Sequence, residues 1–194
     1  MSYYSKDLYH DLEDISKLPY FNEWFEIVKE YLLNDELQRR KLFRHHDGCL
    51  WNHLILVSFR SFLLAKYYGV DEKTCAIAGL LHDFYPKAYK FSQELYDLDP
   101  SYLDKVHYKQ PIWKMHGFTH AKEAADNARK YFPGKIDDKI YSCITTHMFP
   151  LTFRPPKYKE GWIVTLMDKK LSANVLMEVK YLPRIIKNKM KRKK

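Results

Sequence analysis

The chain has 194 residues, 46% of them hydrophobic and 16% aromatic, with only six glycines; this suits one domain, or one domain with an added arm, and argues against broad disorder. Its formal charge of +9 is concentrated at the end, where Lys187 to Lys194 include six Lys or Arg and no acid, leaving the rest at +3; so mildly basic a body does not imply a nucleic-acid partner, although anionic phosphates suit it. Cys49, Cys75 and Cys143 are odd in number and lack a C-x-x-C pair, which argues against a disulfide framework or a thiolate zinc site and marks them as core thiols.

Along the chain, strand signals are sparse and helical periodicity recurs. Phe21, Trp24, Phe25, Val28, Tyr31 and Leu32 follow the three-and-four spacing of an amphipathic helix. Leu50, His53, Leu54, Val57, Leu64 and Tyr68 repeat it up to a stop at Gly69. Asp71 reads as the N-cap of a third helix through Thr74, Cys75, Ala78, Leu81 and His82, with Pro86 beyond its end. Residues 91–115 form an aromatic, mixed-charge stretch with Pro100 and Pro111, long enough for a lid or a short helical insertion. Helices are then expected from Thr119 to Tyr131, from Asp137 to His147 and, after a loop with Pro150, Pro155 and Pro156, from Trp162 to Met177. The expected fold is all-α: an N-terminal helical arm over 1–42, one helical bundle over 43–178 and a basic tail over 179–194. The N-terminus has no apolar signal region and the uncharged stretch Gly48 to Phe59 is far short of a membrane span, so no membrane insertion and a cytoplasmic location are expected.

Gly79-Leu80-Leu81-His82-Asp83 ends an apolar helix in two metal-competent side chains. Imidazole and carboxylate together suit iron, manganese, zinc and similar divalent ions, and a carboxylate has two oxygens with which to bridge a pair of them. Taken alone, the dipeptide reads better as a satisfied buried histidine followed by a helix cap. The surroundings change that balance. His53 lies on the preceding apolar helical face, and His116, His147 and Asp168 follow in helical settings. Asp168 is flanked by Ile163, Val164, Leu166 and Met167, where an unpaired carboxylate is costly; a metal, Lys169, Lys170 or solvent would satisfy it.

In these residues the sequence resembles the HD-domain phosphohydrolase superfamily, whose pattern of a histidine, a His-Asp pair and a distant aspartate is met here by His53, His82-Asp83 and Asp168. The resemblance covers roughly Phe43 to Leu176. The stretches Met115 to His120 and Thr146 to Pro150 resemble the expanded pattern of members that hold two metals, including diadenosine-tetraphosphate hydrolases. Pro150 to Glu160 resembles an uncharacterised bacterial subgroup. The resemblance implies a single HD-domain helical bundle binding two divalent ions, iron, manganese or similar. It assigns His53, His82, Asp83 and Asp168 to the first, with Asp83 bridging as the catalytic carboxylate and His116 and His147 completing the second. It also implies hydrolysis of a small phosphate substrate, a nucleotide or related metabolite. Substrate contacts are expected from His46, Lys87, His120, Arg154 and Lys169. Where many members carry a lysine, this chain has Pro86, with Lys87 one later. His120 stands four residues after His116, and Gly117 is expected to interrupt the helix between them. An HD-type di-iron oxygenase and a non-catalytic metal-binding regulatory module are the alternative readings of the same ligands.

Overall fold

The computed structural model describes residues 12–45, 48–90, 92–103 and 111–173, and within them the chain is an all-α bundle. The N-terminal arm consists of α1 (Glu13–Ser16), α2 (Phe21–Leu32) and α3 (Asp35–Gln38), followed by a 3-10 turn over Arg39–Leu42. The spacing read for α2 is a buried face: Phe21, Trp24, Val28, Tyr31 and Leu32 are buried, while Phe25 is half-buried. This arm shares one apolar core with the rest of the chain, and Trp24 Nε1 donates to Ser58 Oγ at 2.9 Å. A two-residue antiparallel ladder, β1 (Arg44–His45) with β2 (Gly48–Cys49), then leads into the long helix α4 (Leu50–Tyr68).

Helix α4 ends at Gly69, whose φ of 67° is the left-handed conformation that glycine adopts without strain. Asp71 caps α5 (Glu72–Leu81), accepting from the Thr74 amide at 3.0 Å. The two helices pack closely at Gly79, where a Cβ would stand 2.9 Å from the Ser58 Cα. Ser58 Oγ donates to the Ala76 carbonyl at 2.7 Å, so even the polar group in this contact is satisfied. Only glycine allows that approach, and it brings His53 on α4 beside His82 at the end of α5.

Residues 92–103 contain α6 (Gln93–Leu98), capped by Ser92, and a 3-10 turn over Pro100–Tyr102. The segment is tied to the body by a bridge between Ala88 and Leu103, by Leu95 in the core and by the Tyr102 hydroxyl, which donates to Glu36. Another 3-10 turn, Ile112–Lys114, precedes α7 (His116–Tyr131). That helix begins three residues before the expected Thr119 and runs straight through Gly117. At the second helical position glycine's amide is among those that lack an intrahelical partner anyway, so it opens a helix at little cost. Helix α8 (Asp138–Thr146) is capped by Asp137 and α9 (Lys159–Ala173) follows the proline-rich loop. The expected extension of α9 to Met177 and the basic tail lie outside the described residues, as does His46. Cys75 and Cys143 are buried and Cys49 half-buried; burial pushes the Cys75 thiol up and that of Cys143 to about 12, which keeps both protonated. No helix among the described residues is long and apolar enough to cross a membrane.

Candidate metal centre

Three histidines of the bundle are held in the same way. His82 and His147 stand at the C-caps of α5 and α8, where the last carbonyls of a helix lack intrahelical donors. Each turns its Nδ1 back to such a carbonyl: His82 donates to Gly79 at 2.8 Å, His147 to Ile144 at 2.7 Å. His120, one turn into α7, donates from Nδ1 to the His116 carbonyl at 2.7 Å. A backbone carbonyl can only accept, so the proton of each neutral ring is on Nδ1 and the Nε2 lone pair points inward. The same second contact orients histidines that ligate metals.

These Nε2 atoms meet two carboxylates. On one side His53 Nε2 lies 3.2 Å from His82 Nε2 and 3.2 Å from Asp168 Oδ1, and His82 Nε2 lies 3.5 Å from the same oxygen. On the other, His120 Nε2 is 3.3 Å from His147 Nε2, and Asp83 Oδ1 is 3.3 Å and 3.4 Å from those two nitrogens. Asp83 joins the triangles, since its Oδ2 is 3.7 Å from His82 Nε2. His82, Asp83, His120, His147 and Asp168 are buried and His53 is half-buried.

In the second triangle every vertex is an acceptor when both rings are neutral. With both rings protonated at Nδ1, two imidazole lone pairs and a carboxylate oxygen face one another with no hydrogen between them, which is repulsive unless a cation is shared. An ion about 2.1 Å from its nitrogen and oxygen ligands holds them about 3.0 to 3.4 Å apart, for octahedral and tetrahedral angles respectively. The triangles have edges of 3.2 to 3.5 Å, close to that length, so their residues could hold a metal ion. His53, His82 and Asp83, His82, His147 and Asp168, and Asp83, His120 and His147 each form a buried or half-buried group able to hold a metal ion.

The electrostatics of the centre agree. Burial, the largest influence on His82, works against its charging, yet Asp83 and Asp168 outweigh it and raise its pKa to about 9. Burial also opposes ionisation of Asp83 and Asp168, but His82 with His120 and His147 around the first, and His53 with His82 beside the second, hold both carboxyls well below the usual range. His120 goes the other way: burial, with help from His147 and His82, outweighs Asp83 and lowers its pKa. Two buried anions thus draw positive charge into the first triangle, while the second keeps His120 as a lone-pair donor.

Of the residues expected from the sequence, the structure brings together His53, His82, Asp83, His147 and Asp168, and adds His120, which sequence reasoning placed among substrate contacts. His116 instead forms the outer layer of a stack, 4.7 Å from the His120 ring and 4.1 Å from Tyr89, with Tyr85 edge-on at 4.7 Å. Its ring is not among the grouped ligand atoms of the described residues. The continuous start of α7 explains the exchange: His116 and His120 share a face, and the residue one turn further in reaches the carboxylate. Lys169 borders the centre, its Nζ donating to the His147 carbonyl at 3.3 Å. Lys87 and Arg154 are exposed. Tyr85 and Tyr89, which sequence reading did not single out, wall the His116 side, and burial raises the pKa of both phenols, keeping them protonated. Compared with family models, curated proteins and solved structures, the chain shows no match.

Proposed function

We propose that this centre binds two divalent ions, iron or manganese, and hydrolyses a phosphate ester or anhydride in a nucleotide or other small phosphorylated metabolite, as the resemblance to HD-domain phosphohydrolases implies. The observation that carries the metal reading is the convergence of the His53, His82, His120 and His147 Nε2 atoms on the Asp83 and Asp168 carboxylates within 3.2 to 3.7 Å. His53, His82, Asp83 and Asp168 would hold one ion, and Asp83, His120 and His147 the other. Bound there, the ions would polarise a phosphoryl oxygen and lower the pKa of a water.

The chain's own residues supply the rest. The Nδ1 contacts of His82, His120 and His147 fix three rings before any ligand arrives, so little ordering remains to be done on binding. Lys169 is close enough to the His147 end to attract an anionic group toward the centre. Tyr85 and Tyr89 narrow its other side and restrict water.

Protein purified with manganese or iron and screened against phosphorylated metabolites should release phosphate or a nucleotide from some of them. His82→Ala should abolish that release and reduce bound metal in elemental analysis. Turnover that survives the substitution would remove the centre from the reaction. Substrate-dependent oxygen consumption in its place would favour the oxygenase alternative.

A further inference from the structure

Large apolar side chains stand exposed beside the ends of the helices that carry His120, His147 and Asp168. Trp113 and Met115 lead into α7 at 71% and 53% exposure, Leu151 and Phe153 occupy the loop after His147 at 43% and 93%, and Trp162 and Leu166 line the outer face of α9. They are linked through neighbouring contacts. A Cβ on Gly117 would meet Leu151 Cδ2 at 3.3 Å, the Phe149 and Trp162 rings are 5.3 Å apart, and Leu166 is one turn beyond Trp162. Single exposed apolar residues are ordinary, but six grouped on two loops and one helix face mark an interaction surface.

Charge selects the partner. Residues 111–118 and 148–159 contain Lys114, Arg154, Lys157 and Lys159, all exposed, and no Asp or Glu; the acids of α9, Glu160 and Asp168, are buried. We propose that this face docks peripherally on an anionic lipid surface, Trp113, Leu151, Phe153 and Trp162 entering the headgroup region while the lysines and arginine meet lipid phosphates. Tryptophan beside lysine and arginine is the composition that bilayer interfaces favour. A second copy of the chain would set this positive face against itself, which like charges oppose. Single-stranded RNA would use the aromatics and the cations, but it gives Met115, Leu151 and Leu166 nothing to bury against. Docking of this kind spans no membrane and does not depend on the hydrolytic reading.

Co-sedimentation of the whole protein with lipid vesicles tests it. Binding to vesicles containing about a third phosphatidylglycerol should exceed binding to pure phosphatidylcholine by at least about tenfold and weaken with salt. Leu151→Ser combined with Phe153→Ser should lower that binding about tenfold while leaving the melting temperature and metal content unchanged, because both side chains are exposed. Trp113→Phe with Trp162→Phe should remove the vesicle-induced blue shift in tryptophan fluorescence, since Trp24 and Trp51 are already buried. Equal binding to neutral and anionic vesicles, or binding untouched by the loop substitutions, overturns the proposal. So does a dimer, or capture of polyuridylate, that the same substitutions abolish while vesicle binding is absent.

Discussion

Two buried polar clusters, one around Arg40 and one around Asp83, solve the cost of burial differently. In the first, Arg40, fully buried, bonds through Nη1 to Glu36 Oε1 and to the Glu36 carbonyl, both at 3.1 Å, and its guanidinium lies over the Phe43 and Phe84 rings at 4.4 and 4.6 Å. Tyr102 donates to Glu36 Oε2 at 2.8 Å and accepts from Arg39. Burial pulls the Arg40 pKa down and Glu36 opposes it, so a cation is matched by an anion and by aromatic faces. In the other cluster four imidazoles gather around the Asp83 and Asp168 carboxylates. Buried charge alone therefore does not distinguish a structural cluster from a metal centre in this bundle. The discriminating property is the kind of group that gathers: one guanidinium faces a carboxylate and aromatic rings around Arg40, whereas four imidazoles converge on two carboxylates around Asp83 and Asp168.

The comparison breaks most sharply at Asp83. Asp83→Ala removes the oxygen of the second triangle and the bridge to the first, so both ions should be lost, and any phosphate release should fall by at least about three orders of magnitude. Elemental analysis and a turnover assay on one preparation check this. A variant that retains two ions would show that Asp83 does not bridge. In the Arg40 cluster the expected damage is of another kind. Glu36→Leu strands the Arg40 charge in the core, which costs about 3 to 5 kcal/mol of stability, and leaves metal content intact in whatever fraction remains folded. Chemical denaturation with metal analysis of the folded pool separates the two effects, and a loss of metal without loss of stability would reverse the roles given to the clusters.

Much of this contrast was legible beforehand, for specific reasons. His53, His82, Asp83, His147 and Asp168 could be read because apolar periodicity gives helix phase, and a carboxylate among Ile163, Val164, Leu166 and Met167 needs a partner. Glu36 and Arg40 have the four-residue spacing of a helical ion pair, yet their partner Tyr102 lies more than sixty residues away, beyond the reach of periodicity. Gly117 misled because glycine weakens a helix interior but not its first turn, and that single boundary decided whether His116 and His120 share a helix. The closeness of α4 and α5 at Gly79 is likewise tertiary: the sequence shows a glycine, while only packing shows the Ser58 backbone 2.9 Å from the Cβ it lacks.

The clusters should also separate by pH. In metal-free protein His82 titrates at about 9 against its ordinary 6.5. A folded pKa raised in this way contributes stability that is complete below about 6.5 and lost as pH rises through about 9. Asp83 and Asp168, held low, contribute above their ordinary range near 4 and lose that contribution only as pH falls below it. Metal-free protein should therefore melt at lower temperature at pH 9 than at pH 6. Saturating manganese should flatten that decline by taking the place of the proton, and its affinity should rise over the same window. Glu36→Leu should lower both melting curves without changing their slopes. A decline that persists unchanged with metal bound would place its origin outside the centre.

The finest distinction lies within one helix turn. His116 and His120 stack at 4.7 Å, and the resemblance and the geometry disagree over which of them ligates. By the geometry, His120→Ala should remove one ion and leave the one held by His53, His82 and Asp168. His116→Ala should keep both, because the carbonyl that fixes His120 belongs to the backbone and survives the substitution. Losing the ring that packs between Tyr89 and His120 should weaken the second ion by no more than about tenfold, the lower end of what supporting groups contribute. Metal titration of the two variants side by side decides the matter. Loss of an ion from His116→Ala with two retained in His120→Ala would restore the assignment implied by the resemblance, and would require α7 to turn its first residue inward when metal binds.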